Sequence, residues 1–162
     1  MMRRFATLAL TLASLASPLA AQSHPDFSGK WTLDTKASEG PMLPVAMTVV
    51  VTQSAKTLKV ENTSTMAMGE QKMEQKSTLT YNLDGTVAKN TLNSPAGSLD
   101  LASTSAWDEK TLVVTTKADL PAGQLNQVDH WTMSPDGKSL KLTRDVAVAG
   151  QTMAIKLAFT KS

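Results

Sequence analysis

Asp129 and Arg144 are the residues of this 162-residue chain whose types and spacing bear most directly on chemistry. From Leu125 to Met133 apolar and polar residues alternate, yet Gln127 and Asp129 share the parity of Leu125, Trp131 and Met133. Arg144 likewise shares parity with Leu140, Leu142, Val146 and Val148. Successive side chains of a strand point to opposite faces, so all three polar groups are expected to point inward. A hairpin that pairs Met133 with Leu140 sets Asp129 opposite Arg144 as a cross-strand ion pair. A two-residue slip sets Arg144 beside Gln127 or Trp131 instead. Buried charges persist only when paired. The trio is therefore either a brace beneath Trp131 or a polar anchor that orients a ligand.

Other chemistry-bearing residues do not converge. His130 adjoins Asp129, but neighbours on a strand face opposite ways, so the two cannot work as a dyad. A Ser-His-Asp site needs three groups brought together, and the inward-parity Ser77, Ser103, Ser105 and Thr116 have no histidine on their side. No Gly-rich phosphate loop or zinc motif is present. The expectation is a protein that is not an enzyme and carries no cofactor.

Two patterns could hold metal. Met66 and Met68, with Met73 nearby, place thioethers on one side of a strand, and soft thioethers favour Cu(I); methionine also fills irregular core gaps. Cleavage before Gln22 would leave Gln22-Ser23-His24 as a mature terminus. Its amine, two amides and the His24 ring offer Cu(II) or Ni(II) a square-planar nitrogen set.

The elements that must position these residues are strands. Turn signals recur at Ser54-Ala55-Lys56, Asp84-Gly85, Ser94 to Gly97, Asp108 to Lys110, Leu120 to Gly123, Ser134 to Gly137 and Ala149-Gly150. Their spacing of roughly 8–12 residues suits a β-sandwich or barrel, and the runs between them are rich in Thr, Val and Leu. Met153, Ile155, Leu157 and Phe159 share one face of the last run, and Leu79, Tyr81 and Leu83 share another. About ten antiparallel strands in an up-and-down meander are expected, closed into a barrel because closure removes exposed edges. Trp31, Tyr81, Trp107 and Trp131 each stand near a strand end that runs into an acidic turn. Such rings either plug a barrel end or form an aromatic platform for a ligand.

Residues 1–21 read as a cleaved secretory signal: basic Arg3-Arg4, an apolar run from Phe5 to Leu15, then small residues to Ala21. That run is about half the ~20 residues of a membrane-spanning helix, so it is read as removed and no transmembrane segment is expected. Residues 22–162 form one domain, periplasmic or secreted. Removing Arg3 and Arg4 from the 16 basic residues balances them against the 14 acidic ones. With 4% aromatics and no basic cluster, nucleic-acid binding is excluded. The chain has no cysteine, which excludes disulfides, thiolate metal sites and a cysteine nucleophile.

The segment Phe27-Ser28-Gly29-Lys30-Trp31 opens the first strand. A Gly-x-Trp there, ahead of an antiparallel meander, resembles the calycins, the lipocalins and fatty-acid-binding proteins. The pattern also looks like small exported lipocalin-like proteins of bacteria, mostly of unassigned function. The resemblance implies that Trp31 closes one barrel end under a basic residue from a late strand, for which Arg144 is the matching candidate. Asp34 to Pro44 is short and contains Gly40, Pro41 and Pro44, so the helical lid of fatty-acid-binding proteins is not expected. The leading expectation is a monomeric exported lipocalin-like barrel binding a small, partly apolar ligand through Trp31, Tyr81, Trp107, Gln127, Asp129, Trp131 and Arg144. The alternatives are a filled barrel acting through its outer surface and a periplasmic copper-handling protein.

Overall fold

The computed structural model describes residues 24–94 and 97–162. The expected signal peptide, Gln22-Ser23 of the possible metal-binding terminus, and Pro95-Ala96 lie outside the described residues. Ten strands follow one another: β1 (Gly29–Leu33), β2 (Ala46–Gln53), β3 (Thr57–Met68), β4 (Gln71–Asn82), β5 (Ala88–Ser94), β6 (Gly97–Asp108), β7 (Thr111–Leu120), β8 (Gly123–Met133), β9 (Ser139–Val148) and β10 (Gln151–Lys161). No helix is formed among the described residues. All strands belong to one antiparallel sheet in the order β4-β3-β2-β1-β10-β9-β8-β7-β6-β5.

Every ladder but one joins strands adjacent in sequence. The exception pairs β1 with β10, Trp31 opposite Lys161 and Leu33 opposite Phe159. It curls the ribbon until β4 and β5 approach each other. These two share no main-chain ladder. Side chains bridge the seam instead: Thr80 N–H donates to Asn90 Oδ1 (2.8 Å), Asn90 Nδ2 donates to Thr80 O (2.9 Å), and Ser105 Oγ donates to Asn82 O. The barrel is thus a near-closed sheet fastened along one line by side chains.

Expected turns fall between strands at 54–56, 83–87, 109–110, 121–122, 134–138 and 149–150. One hairpin, β3–β4 at Gly69-Glu70, has no counterpart in the sequence reading. Met66 to Lys76 around it are mostly exposed, so little burial contrast marks those strand ends. The Asp34–Val45 linker is not helical, in keeping with its Gly and Pro content. Glu39 forms a bridge with Lys156, and Gly40 follows with φ +136°, its would-be Cβ only 3.0 Å from Ile155 Cα. A side chain there would lift the linker off β10.

The core fills one end only. Phe27, Trp31, Leu58, Leu112, Val114, Leu140 and Phe159 are at most 2% exposed. All lie toward the end that holds the 54–56 and 134–138 turns. Phe27 precedes β1 and plugs this end, its ring edge-on to Trp131 at 6.0 Å and parallel to Trp107 at 5.9 Å. Its carbonyl accepts from Trp31 Nε1 (2.9 Å).

The Gly-x-Trp pattern has a local cause. Gly29 has φ +140°, and a Cβ there would fall 2.8 Å from Lys161 Cε. Gly29 thus leaves room for Lys161 to lie over the Trp31 ring, Nζ 5.2 Å from its centroid. The cation over Trp31 is therefore Lys161 of β10, not Arg144. The register of the closing ladder puts it there, and that register is invisible in local sequence.

Candidate functional site

A cavity of about 320 Å³ occupies the other half of the barrel. Alternation builds its wall: Val60, Asn62, Ser64 and Met66 are successive inward positions of β3, and Ser77, Leu79 and Tyr81 of β4. The linker adds Met42, Leu43 and Pro44 at the mouth, and β10 adds Ile155 and Leu157. The wall is chiefly aliphatic, with a few polar groups.

The register of β8 with β9 is the one that sets Met133 opposite Leu140 and Asp129 opposite Arg144. Arg144 Nε donates to Asp129 Oδ1 (2.8 Å) and Nη2 donates to Oδ2 (2.9 Å), a bidentate pair. Gln127 Nε2 adds a third bond to Oδ2 at 3.0 Å. Asp129 is 1% exposed, whereas the Arg144 side chain keeps 29% of its surface accessible in the cavity wall. Burial works against the Arg144 charge, but the Asp129 carboxylate, by charge and hydrogen bonds, holds its pKa above the ordinary value. Burial also pushes the Tyr81 phenol well above the usual tyrosine range, and the Asp129 charge adds to it, so Tyr81 remains a neutral O–H. Thr116 and Ser103, both buried, share a hydroxyl–hydroxyl bond of 2.8 Å beside the cluster.

Tyr81, Gln127, Trp131 and Arg144 line the cavity, and Asp129 stands behind Arg144. Trp31 and Trp107 do not line it. Trp31 is wholly buried within the core at the plugged end. Trp107 lies outside Phe27, where the His24 ring stacks on it at 4.2 Å and 6°. These two rings pack at the closed end, away from the cavity, because their strands reach that end just there.

Met47, Met66, Met68 and Met73 gather at the open end. Met66 is paired with Met73 across β3–β4, and Met66 and Met47 line the cavity. Met68 is 64% exposed and Met73 half exposed, so these two fill no core gap. His24 lies at the opposite end, its Nδ1 3.2 Å from Glu109 O.

Asn62 is a wall residue that no sequence motif marks. Its parity with Leu58 and Val60 was the available signal. Asn62 Oδ1 and Trp131 Nε1 are both buried without a hydrogen-bond partner among the described residues, and both residues line the cavity.

No protein-family model matches the chain, and no curated protein sequence does. Among solved structures, fatty-acid-binding protein 1 of Echinococcus granulosus is 18% identical, covering 83% of this chain and 96% of its own, with a TM-score of 0.48. Zebrafish ileal bile-acid-binding protein, solved with cholic acid, is 15% identical over 84% of this chain and 98% of its own, TM-score 0.49. Secretory abundant heat soluble protein 4 from Ramazzottius varieornatus is 19% identical over 84% and 94%, TM-score 0.48. At these values the barrel rests on its own ladders and the site on its own cavity.

Proposed function

We propose that this protein is an exported binding protein that takes a small, partly apolar ligand into the hollow half of its barrel. The carrying observation is the cavity of about 320 Å³, within the size range of small-molecule sites. A filled barrel acting only through its outer surface has no use for that hollow. Nor does a brace need Arg144 partly accessible in a chiefly aliphatic wall. Export rests on residues 1–21, and amino-terminal sequencing of the mature protein tests it: a start near Gln22 is expected.

Binding is tested with an environment-sensitive apolar dye. The wild type should bind one dye per chain and enhance its emission. Ser77→Trp, which places a large ring in the cavity, should weaken the dye by at least about tenfold, roughly 1.4 kcal/mol. Equal affinity of the two proteins would move the site out of the interior.

A further inference from the structure

The polar groups of the cavity form a set whose charges cancel. Arg144 is the one permanently charged residue in the wall, and two of its N–H groups are spent on the two oxygens of Asp129. Asp129 in turn is 1% exposed and takes a third bond from Gln127. An incoming carboxylate would meet an arginine already neutralised and would stand near a second, buried negative charge. Like charges in a low-dielectric site repel strongly. An incoming ammonium would find the only nearby carboxylate already engaged. Neither ion gains enough to offset its own dehydration.

Apart from the Arg144 N–H groups that Asp129 does not take, the wall holds two neutral groups that are buried and unmatched. The Trp131 indole N–H, on a residue 4% exposed, has no acceptor, and the Asn62 Oδ1 has no donor. Each is a hydrogen-bonding group withdrawn from water, a state costing about 1–3 kcal/mol until a partner arrives. The complement of one donor and one acceptor in an uncharged site is a group that both accepts and donates without ionising. A hydroxyl or a carboxamide does this; a carboxylate only accepts and an ammonium only donates.

We propose that the barrel selects an uncharged amphiphile, an aliphatic chain or ring system ending in a hydroxyl or carboxamide, over the corresponding fatty acid or amine. This rests on the cavity being the ligand site. The apolar portion lies against Leu92, Leu99 and Ile155 toward the mouth. The head reaches the polar groups near Trp131.

The test is displacement of the apolar dye from the full protein at neutral pH by decanol, decanamide, decanoate and decylammonium. Decanol or decanamide should displace at least about tenfold below the concentration of either ion, the equivalent of roughly one charge-neutral hydrogen bond. Asp129→Asn frees the Arg144 charge and should reverse the order, so that decanoate leads. Asn62→Leu removes the unmatched acceptor at similar volume; it should fold at least as well as the wild type and bring the neutral probes closer to decanoate. This second variant decides the matter if Asp129→Asn fails to fold. Dye binding with decanoate equal to or better than decanol overturns the headgroup choice and leaves the ligand site standing. Absence of dye binding overturns the ligand site, and this selection with it.

Discussion

The Asn90 side-chain amide holds both main-chain groups of Thr80, accepting from its N–H at 2.8 Å and donating to its carbonyl at 2.9 Å. One side chain on β5 thus does for β4 what a neighbouring peptide group would do in a ladder. Neither Thr80 group would otherwise be matched across the seam.

Asn90→Ala should therefore cost about 1–3 kcal/mol, the penalty for two unpaired main-chain groups. Asn90→Asp keeps the acceptor but turns an oxygen toward Thr80 O, so it should be no better. Urea unfolding gives the energy, and hydrogen exchange at Thr80 gives the place. Exchange at Thr80 as slow in Asn90→Ala as in the wild type would remove the clasp from the account.

The Asp129–Arg144 pair should show strong coupling. Arg144→Met alone leaves a 1%-exposed carboxylate with only Gln127, at a cost of about 3–5 kcal/mol. Combining it with Asp129→Leu should recover most of that loss, because an apolar pair of similar volume asks for no compensation. A double-mutant cycle by denaturation measures it. Additive losses would mean that the two residues act independently.

Phe27 is fully buried and touches rings from two strands. Phe27→Ala should lose about 3–5 kcal/mol and expose Trp107 and Trp131. A red shift of tryptophan emission in the folded variant would report the exposure. An unchanged spectrum and stability would show that the plug is ornamental.

Acid should loosen the closed end first. Hydrogen bonds from Ser28, Thr86 and Ser134 hold the carboxyls of Asp26, Asp84 and Asp136 below their ordinary pKa. A carboxylate depressed in the folded state contributes stability above its unfolded pKa of about 4, lost as pH falls through the lower folded value. A variant with Ser28, Thr86 and Ser134 all changed to Ala should be less stable than the wild type at pH 7. The gap should close toward pH 2. A gap independent of pH would assign it to the hydroxyls alone.

Parity made much of this legible. The inward set of β8 and β9 follows from Leu125, Trp131, Leu140 and Leu142. The Met133–Leu140 hairpin then fixes the Asp129–Arg144 pair. What parity cannot give is distance between elements remote in sequence. Lys161 over Trp31 depends on the β1–β10 register, and Trp107 leaves the cavity because Phe27 enters from outside the sheet. The Gly69-Glu70 hairpin hides in strand ends that are mostly exposed, where burial carries little contrast.

The closing ladder also sets a timetable. Because β1 pairs with β10, a chain made from its amino end can form its other ladders as local hairpins, while β1 waits for the last strand. Non-local pairing slows folding. Ser162 N–H bonds Lys30 O at 2.9 Å, so the last residue lies beside the start of β1. A circular permutant joined there and opened in the 83–87 loop would run β5 through β10 and then β1 through β4, with every ladder local. It should refold faster than the natural order while keeping the same barrel.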